Sequence, residues 1–267
     1  MKGRGLLLLL TLALPASTGA QTPAKTPSLA TAQRLFYNGD YEPAAAMALA
    51  LFTLEPENLA AYELRTSALH FQIRREIGDA ADKSKALKQC DRCASLMATF
   101  RDDTTRGLAI ARVRLKADPQ DNETLFFLGK LDLNHVWLHI GTLGKRTAWG
   151  EYREARRSME TLLKRDPGHV RARVAHAWME YIVDTRVPFG FQWIFGGGDR
   201  KRALAAISEA ASSDAGFFTK TEARFGLWEM LIREKKLAEA VATARILLAD
   251  FPENRDLLKF LDKHSGL

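Results

Sequence analysis

A pair of cysteines and a pair of histidines are the residues of this sequence best suited to chemistry. The two cysteines, Cys90 and Cys93, have the C-x-x-C spacing of redox and metal-binding pairs. No histidine follows Cys93, which excludes covalent haem attachment, and a four-cysteine zinc site is impossible within one chain. Redox catalysis of the thioredoxin kind needs an alternating strand–helix fold, which the sequence does not predict. We expect buried thiols within a helix, with a local disulfide as the alternative in an oxidising compartment.

His135 and His139 follow Asp132 at helical spacing, which places the three side chains near one face of a helix. Such a set could bind a metal ion. The general-base glutamate of zinc proteases is absent, because Val136 follows His135. Apolar neighbours such as Trp137 surround the pair. We therefore predict packing histidines and neither a metal nor a cofactor.

Residues 186–198 form an aromatic and glycine-rich segment that is suited to binding. Aromatic side chains dominate interfaces, whereas loops are normally polar. Two interpretations stay open: the segment folds back over the apolar surface of its own protein, or it is displayed as a binding loop. Its glycines lead into Asp199 and a basic triplet, which could hold a phosphate or carboxylate at a helix start, although Asp199 more simply caps that helix. The candidate partner-binding residues are Phe189, Phe191, Trp193, Phe195, Arg200, Lys201 and Arg202.

No constellation of residues indicates an enzyme. A G-x-S-x-G sequence does not occur, and no cysteine is paired with an obvious base. Carboxylates are numerous, but helical spacing scatters them over solvated faces, so that no acid and base pair stands out. We therefore expect no catalytic residues.

Amphipathic helices are the elements that would position these residues. From Thr31 onward apolar residues recur at intervals of three and four, without sustained alternation. Turns that contain Pro56, Pro119, Pro167 and Pro252 separate the helical runs, because proline cannot continue a helix. The pattern predicts an all-α protein of about twelve helices paired as hairpins. Within it we expect two long helices, Leu59–Ile77 and Ala80–Phe100, and a final capping helix, Arg255–Lys263.

Several of these hairpins resemble tetratricopeptide repeats, whose second helix often opens as Gly39-Asp40-Tyr41 and Gly150-Glu151-Tyr152 do here. Repeats of this family recur about every 34 residues. Longer intervals in this chain place insertions between Ile140 and Gly150 and between Val183 and Gly198. The resemblance implies a right-handed superhelical solenoid over residues 29–264, with two inserted loops and a groove that binds proteins or peptides. The residues that carry it are Ala44, Ala48, Leu51, Pro56, Leu125, Leu128, Gly129, Ala155, Met159, Leu162, Pro167, Ala240, Ala244, Leu247 and Pro252.

The N-terminus has the pattern of a secretory signal peptide. Lys2 and Arg4 precede an apolar run from Leu6 to Leu14, which small residues follow up to Ala20. The run is shorter than the roughly 20 residues that span a bilayer. We predict a cleaved signal over residues 1–20, a flexible leader over residues 21–28, and a periplasmic or secreted mature chain without a transmembrane helix.

Composition and charge restrict the classes of partner. The 267 residues are 46% hydrophobic and 27% charged, which excludes wholesale disorder, and 39 basic against 32 acidic residues give a net charge of +7. An acidic protein surface, anionic lipid headgroups or cell-wall polymer would suit this charge, whereas nucleic acid is a poor partner for an exported chain. We expect a non-enzymatic protein-binding scaffold or adaptor of the cell envelope. The alternatives are a small-ligand-binding accessory component of a transport system and an enzyme that uses residues 196–202 for a phosphorylated substrate.

Overall fold

Helices supply the regular structure of the chain. The computed structural model describes residues 27–145, 147–187 and 189–266, and of Phe189 it describes the backbone alone. These residues form twelve α-helices, a π-helical segment and a 3-10 segment, with no strand among them, which confirms the all-α prediction. The α-helices are α1 (Leu29–Asn38), α2 (Tyr41–Leu54), α3 (Leu59–Ile77), α4 (Lys83–Gln89), α5 (Cys93–Ala117), α6 (Asn122–Val136), α7 (Trp149–Arg165), α8 (Val170–Arg186), α9 (Arg200–Ser212), α10 (Phe217–Arg233), α11 (Leu237–Asp250) and α12 (Arg255–Lys263).

The predicted signal peptide, residues 1–20, lies outside the described residues, as does the predicted leader up to residue 26. Ser28, at the end of that leader, accepts a hydrogen bond from the amide of Thr31 at 3.1 Å and caps α1. Among the described helices, none combines the length and the apolarity that a bilayer span requires.

Each of the four proline turns ends in a side chain that caps the next helix. A cap satisfies one of the amides that the first turn of a helix leaves unpaired. The bounds predicted for Leu59–Ile77 and Arg255–Lys263 agree with α3 and α12 for this reason. The capping residues are Asn58, Asp121, His169 and Asn254, and each accepts a backbone N–H at 2.9–3.1 Å.

Helices pack mainly against their neighbours along the chain, and α3 also contacts α5 and α6 while α8 contacts α10. The approach of α6 to α7 is close at Gly129. An added Cβ there would lie 2.7 Å from the Cε atom of Met159 and 3.3 Å from the carbonyl of Ala155. The small residue at this crossing therefore lets the two helices meet.

The two predicted insertions contain the two irregular helical segments. The first insertion begins inside the π-helical segment, Trp137–Thr142, and the second contains the 3-10 segment, Phe189–Phe195. The π-helical segment is joined to α3, because the ring Nε2 of His70 lies 2.7 Å from the hydroxyl of Thr142.

The predicted helix Ala80–Phe100 is wrong, since the structure divides it into α4 and α5. Cys90 ends α4 with an extended backbone, and Cys93 begins α5. A disulfide joins the two cysteines across this break, with their Cα atoms 5.3 Å apart. Our expectation of buried free thiols in one helix is therefore wrong, and the alternative of a local disulfide is confirmed.

Four charged side chains from helices far apart in sequence meet inside the array. Lys130 of α6 binds Glu222 of α10 at 2.6 Å and lies 3.5 Å from Glu63 of α3. Arg171 of α8 binds Glu222 at 2.8 Å and lies 3.7 Å from Glu63. No side chain of the four exposes more than 23% of its surface. The two positive and two negative charges neutralise one another, which is the condition for burying them. We call these four residues the inner ion network.

The N-terminal helices are in direct contact with the C-terminal part of the chain. The ring of Tyr37 in α1 stacks on Phe225 of α10, with ring centroids 5.3 Å apart. The carbonyl of Tyr37 accepts a hydrogen bond from the side-chain amide of Asn254 at 2.7 Å, just before α12. Arg75 of α3 lies 3.6 Å from Asp256 of α12. The N-terminal and C-terminal parts of the array therefore hold each other.

The Glu222 carboxyl is the point where the inner ion network responds to pH. Burial would raise its pKa, but Lys130 and Arg171 outweigh burial and lower the pKa to about 2. Because the folded-state pKa lies below the ordinary value of 4.5, the pairing stabilises the fold above that value. This contribution is lost as the pH falls toward 2.

Replacing Glu222 with glutamine removes one of the two negative charges that face Lys130 and Arg171. We expect Glu222→Gln to lower the free energy of unfolding by about 3 kcal/mol at neutral pH, measured by urea denaturation, and to lower it less in acid. The matched control, Glu209→Gln, removes an exposed carboxylate paired with Arg173 and should leave the midpoint nearly unchanged. Equal losses in the two variants would contradict the stabilising role of the network.

Candidate functional site

The segment between α8 and α9 displays apolar side chains to solvent. We call residues 189–198 the aromatic loop. Phe191 is 60% exposed, Trp193 75% and Ile194 47%. Phe195 instead turns inward and is half-buried. Part of the segment thus folds back onto the protein and part is displayed, and the side chain of Phe189 lies outside the described residues.

Contacts with α7 fix the C-terminal end of the aromatic loop. The ring of Phe195 packs on Trp149, with ring centroids 4.3 Å apart. The guanidinium of Arg156 donates hydrogen bonds to the carbonyls of Phe195 at 2.7 Å and Gly196 at 2.9 Å. The hydroxyl of Tyr152 donates to the same Phe195 carbonyl at 3.3 Å. The exposed tip is therefore presented from an anchored base.

Glycines return the chain from the loop to α9. Gly196 and Gly197 have φ angles of 83° and 79°, which residues other than glycine rarely adopt. Gly198 lies so close to the backbone of Asp184 that no Cβ would fit. Asp199 caps α9 by accepting the amide of Arg202 at 2.9 Å, as predicted.

The backbone amides of Gly196 and Gly197 are already hydrogen-bonded. The amide of Gly196 donates to the carbonyl of Trp193 at 3.1 Å, and the amide of Gly197 donates to the carbonyl of Gln192 at 3.0 Å. An anion bound to these two amides would have to break both hydrogen bonds. The geometry therefore favours the capping interpretation over the phosphate-binding one.

Two members of the basic triplet, residues 200–202, face acidic partners, and the third faces solvent. Arg200 lies 3.6 Å from Asp184, and Arg202 forms an ion pair with Glu180. Lys201 is exposed, and no ion pair involves it in the part of the chain that the structure describes. The structure thus brings the predicted aromatic and basic residues to one region, but it directs Arg202 toward α8.

Arg202 lines an open depression of about 400 Å³ between α7, α8 and α9. Arg156 also lines it, so the depression and the aromatic loop share a side chain. His176 lies there between two carboxylates, 3.7 Å from Glu180 and 3.8 Å from Glu160. We call this feature the charged depression; the residues that line it are Arg156, Glu160, Arg173, His176, Ala177, Glu180, Arg202 and Ala206.

The chemistry available in the charged depression is recognition by charge. Burial lowers the pKa of His176, although Glu180 opposes this effect. The arginines are matched by acids: Arg202 by Glu180, and Arg173 by Glu209 at 2.7 Å. The described lining contains no serine, threonine or cysteine that could act as a nucleophile. A ligand with both charges would match these walls better than a simple anion.

The predicted histidine pair lies where α6 meets the π-helical segment, with His135 in the former and His139 in the latter. The rings of His135 and His139 stack on each other, with centroids 4.3 Å apart. Burial lowers the pKa of both rings, in His139 to about 4. Their neutral, stacked state agrees with packing histidines. In the described ranges no group of three His, Cys, Asp or Glu side chains is placed to hold a metal ion.

Asp132, the third member of that set, is a buried acid. It is fully buried on α6, and neither carboxyl oxygen has a hydrogen-bond partner among the described residues. Burial, and then the charge of Glu154, raise its pKa to about 8, against a smaller opposing effect of Arg112. The neutral carboxylic acid is therefore the form that the folded protein favours at neutral pH.

No protein-family model matches the chain, and no curated protein matches it. The function therefore has to be inferred from the geometry of the loop and the depression.

Sequence patterns did not single out Arg156 as the residue that joins these two features. Its spacing of four from both Tyr152 and Glu160 was a usable signal, because such residues meet on one face of a helix. The contact with the carbonyls of Phe195 and Gly196 was not predictable, since it spans about forty residues of chain.

Removing the guanidinium of Arg156 tests whether it anchors the loop. We expect Arg156→Ala to lower the free energy of unfolding by about 2 kcal/mol, because two carbonyls lose charged donors. Amide hydrogen exchange over residues 193–198 should accelerate at least about tenfold. Arg157→Ala, which removes an exposed neighbour on α7, is the control. Unchanged exchange in the loop would contradict the anchoring role.

The buried carboxylic acid of Asp132 contributes a pH dependence of stability whose sign is opposite to that of an ion-paired carboxylate such as Glu222. Between about pH 4 and pH 8 the folded protein holds a proton that the unfolded chain releases. The contribution of Asp132 to stability should therefore decrease as pH rises through this window, by up to about 1.4 kcal/mol per pH unit. Histidines whose pKa burial lowers oppose it below their ordinary value of 6.5, so the contribution is measured as the difference in unfolding free energy between the wild type and Asp132→Asn in urea denaturation. We expect this difference to change with pH between about pH 4 and pH 8, whereas Asp102→Asn, at an exposed position of α5, should differ from the wild type by a constant amount. A difference for Asp132→Asn that does not change with pH would contradict the raised pKa of Asp132.

Proposed function

We propose that this protein is a non-enzymatic interaction protein, a scaffold or adaptor of the cell envelope, that binds a protein or peptide segment in the charged depression. The observation that carries the proposal is an open depression whose three arginines alternate with carboxylates from α7 and α8. Alternating charges give specificity for a segment that carries the complementary pattern. The anchored base of the aromatic loop adjoins this depression through Arg156 and keeps one wall in place.

We further propose that α1 to α12 form a right-handed superhelical solenoid of the tetratricopeptide type. The proline turns, the packing of successive helices and the close crossing at Gly129 support this assignment. Partners of such solenoids commonly occupy the concave groove. In this chain the charges of the inner ion network are engaged with one another. The charged depression is open at the surface, whereas the inner ion network is largely buried, so we assign the partner segment to the depression.

Export to the periplasm or the cell exterior is part of the proposal. The pattern of residues 1–20 supports it. The Cys90–Cys93 disulfide supports it as well, because disulfides persist in oxidising compartments.

The alternative function, a small-ligand-binding component of a transport system, needs an enclosed apolar cavity beside Trp193 and Phe195. Trp193 is exposed, and the charged depression is open and lined mainly by charged side chains. A second depression of about 390 Å³ is open as well, and acidic residues and Arg114 are part of its lining. These features favour a macromolecular partner over an enclosed small molecule.

A photo-crosslinking amino acid at Ala206, in the wall of the depression, tests the proposed function in the cells that produce the protein. We expect a discrete protein adduct from this position and none from Val113, which is exposed on α5. Arg173→Glu should reduce the adduct at least about tenfold, because it reverses one charge of the depression. Identical adducts from the two positions, or an adduct that ignores the reversal, would count against the proposal.

A further inference from the structure

The tip of the aromatic loop has the composition of a membrane-interface anchor. Phe191, Trp193 and Ile194 are adjacent, exposed and apolar. Tryptophan and phenylalanine favour the boundary between headgroups and acyl chains, where an apolar body and a polar edge are both accommodated. Three such side chains at one tip exceed the scattered exposed apolar residues of an ordinary surface.

Several backbone groups of the loop are already paired. The amides of Gly196 and Gly197 donate to carbonyls within the loop, and the carbonyls of Phe195 and Gly196 accept from Arg156. The side-chain amide of Gln192 donates to the carbonyls of Asp184 and Val187, both at 3.3 Å. Polar backbone without partners is costly in an apolar phase. These pairings lower the cost of placing this part of the loop in a lipid interface.

Basic residues flank the tip on both sides. Arg186 at the end of α8 and Lys201 at the start of α9 are exposed, and neither forms an ion pair within the described ranges. The nearby acids are engaged: Asp184 lies beside Arg200, and Asp199 caps α9. These two residues complement a negatively charged surface, and the chain keeps a net charge of +5 after loss of the predicted signal, because Lys2 and Arg4 account for two of its seven positive charges.

We propose that the aromatic loop docks this protein on an anionic phospholipid bilayer, with Phe191, Trp193 and Ile194 in the headgroup region and Arg186 and Lys201 against the lipid phosphates. The contact is peripheral, and it is separate from the peptide site proposed for the charged depression. Each flanking cation strengthens binding about fivefold, and salt weakens it.

Tryptophan fluorescence of the full chain tests this docking directly. Trp193 is exposed, whereas the other four tryptophans of the chain are half-buried. Vesicles that contain brominated phosphatidylglycerol should quench the emission, and Trp193→Phe should remove most of the quenching. The predicted signal segment contains no tryptophan, so its binding alone gives no such signal. Absent quenching, or equal quenching in Trp193→Phe, would overturn the proposal and leave a protein as the occupant of the loop.

Two further variants separate lipid docking from a general effect on the fold. Combined Phe191→Ser and Ile194→Ser should weaken vesicle binding more than about tenfold, whereas Val113→Ser, a matched exposed apolar position on α5, should leave it unchanged. Vesicles of phosphatidylcholine alone should bind more weakly than those with phosphatidylglycerol. Equal binding to the two compositions, or an equal loss in Val113→Ser, would contradict docking through this loop and its basic rim.

Discussion

The arrangement of this protein depends on the need to neutralise charges that the helices bury together. Glu63, Lys130, Arg171 and Glu222 lie on α3, α6, α8 and α10, and each is tolerable in the interior because the others are present. A helix that shifted along its axis would separate a pair and leave a buried charge uncompensated. The inner ion network therefore restricts the relative positions of four helices that apolar packing alone would let slide. The contact between Tyr37 and the C-terminal helices completes the same interior.

The outer helices show the consequence of this fixed interior. Because α8 is held by Arg171, its C-terminal end has a defined position from which the aromatic loop begins. Within the loop, Phe195 packs inward, whereas the large apolar side chain of Trp193 faces solvent. The exposed side chains contribute no packing that would hold the loop, so its backbone needs another anchor. The hydrogen bonds from α7 supply that anchor. The displayed tip is thus free to contact another surface without loss of folding energy.

The sequence predicts what local chemistry determines. Proline turns and their capping side chains set the bounds of α3 and α12, and Asp199 was identified as a cap from its position alone. The division of α4 from α5 was not predicted, because helical spacing continues through Cys90 and does not show that a covalent bond will break the helix. The inner ion network was also missed: Lys130 and Glu222 lie on helices far apart in the chain, and each resembles an ordinary solvated residue in its own window. The opposite fates of Phe195 and Trp193 depend on Trp149 and Arg156, which no local pattern places beside them.

Arg156 contacts both the charged depression and the aromatic loop. One guanidinium both lines the charged depression and holds the carbonyls of Phe195 and Gly196. A ligand that draws this group toward the depression must release the loop, and a loop that is held firmly keeps the group from the ligand. If both surfaces bind as proposed, occupation of one would change the affinity of the other, and the effect would be reciprocal.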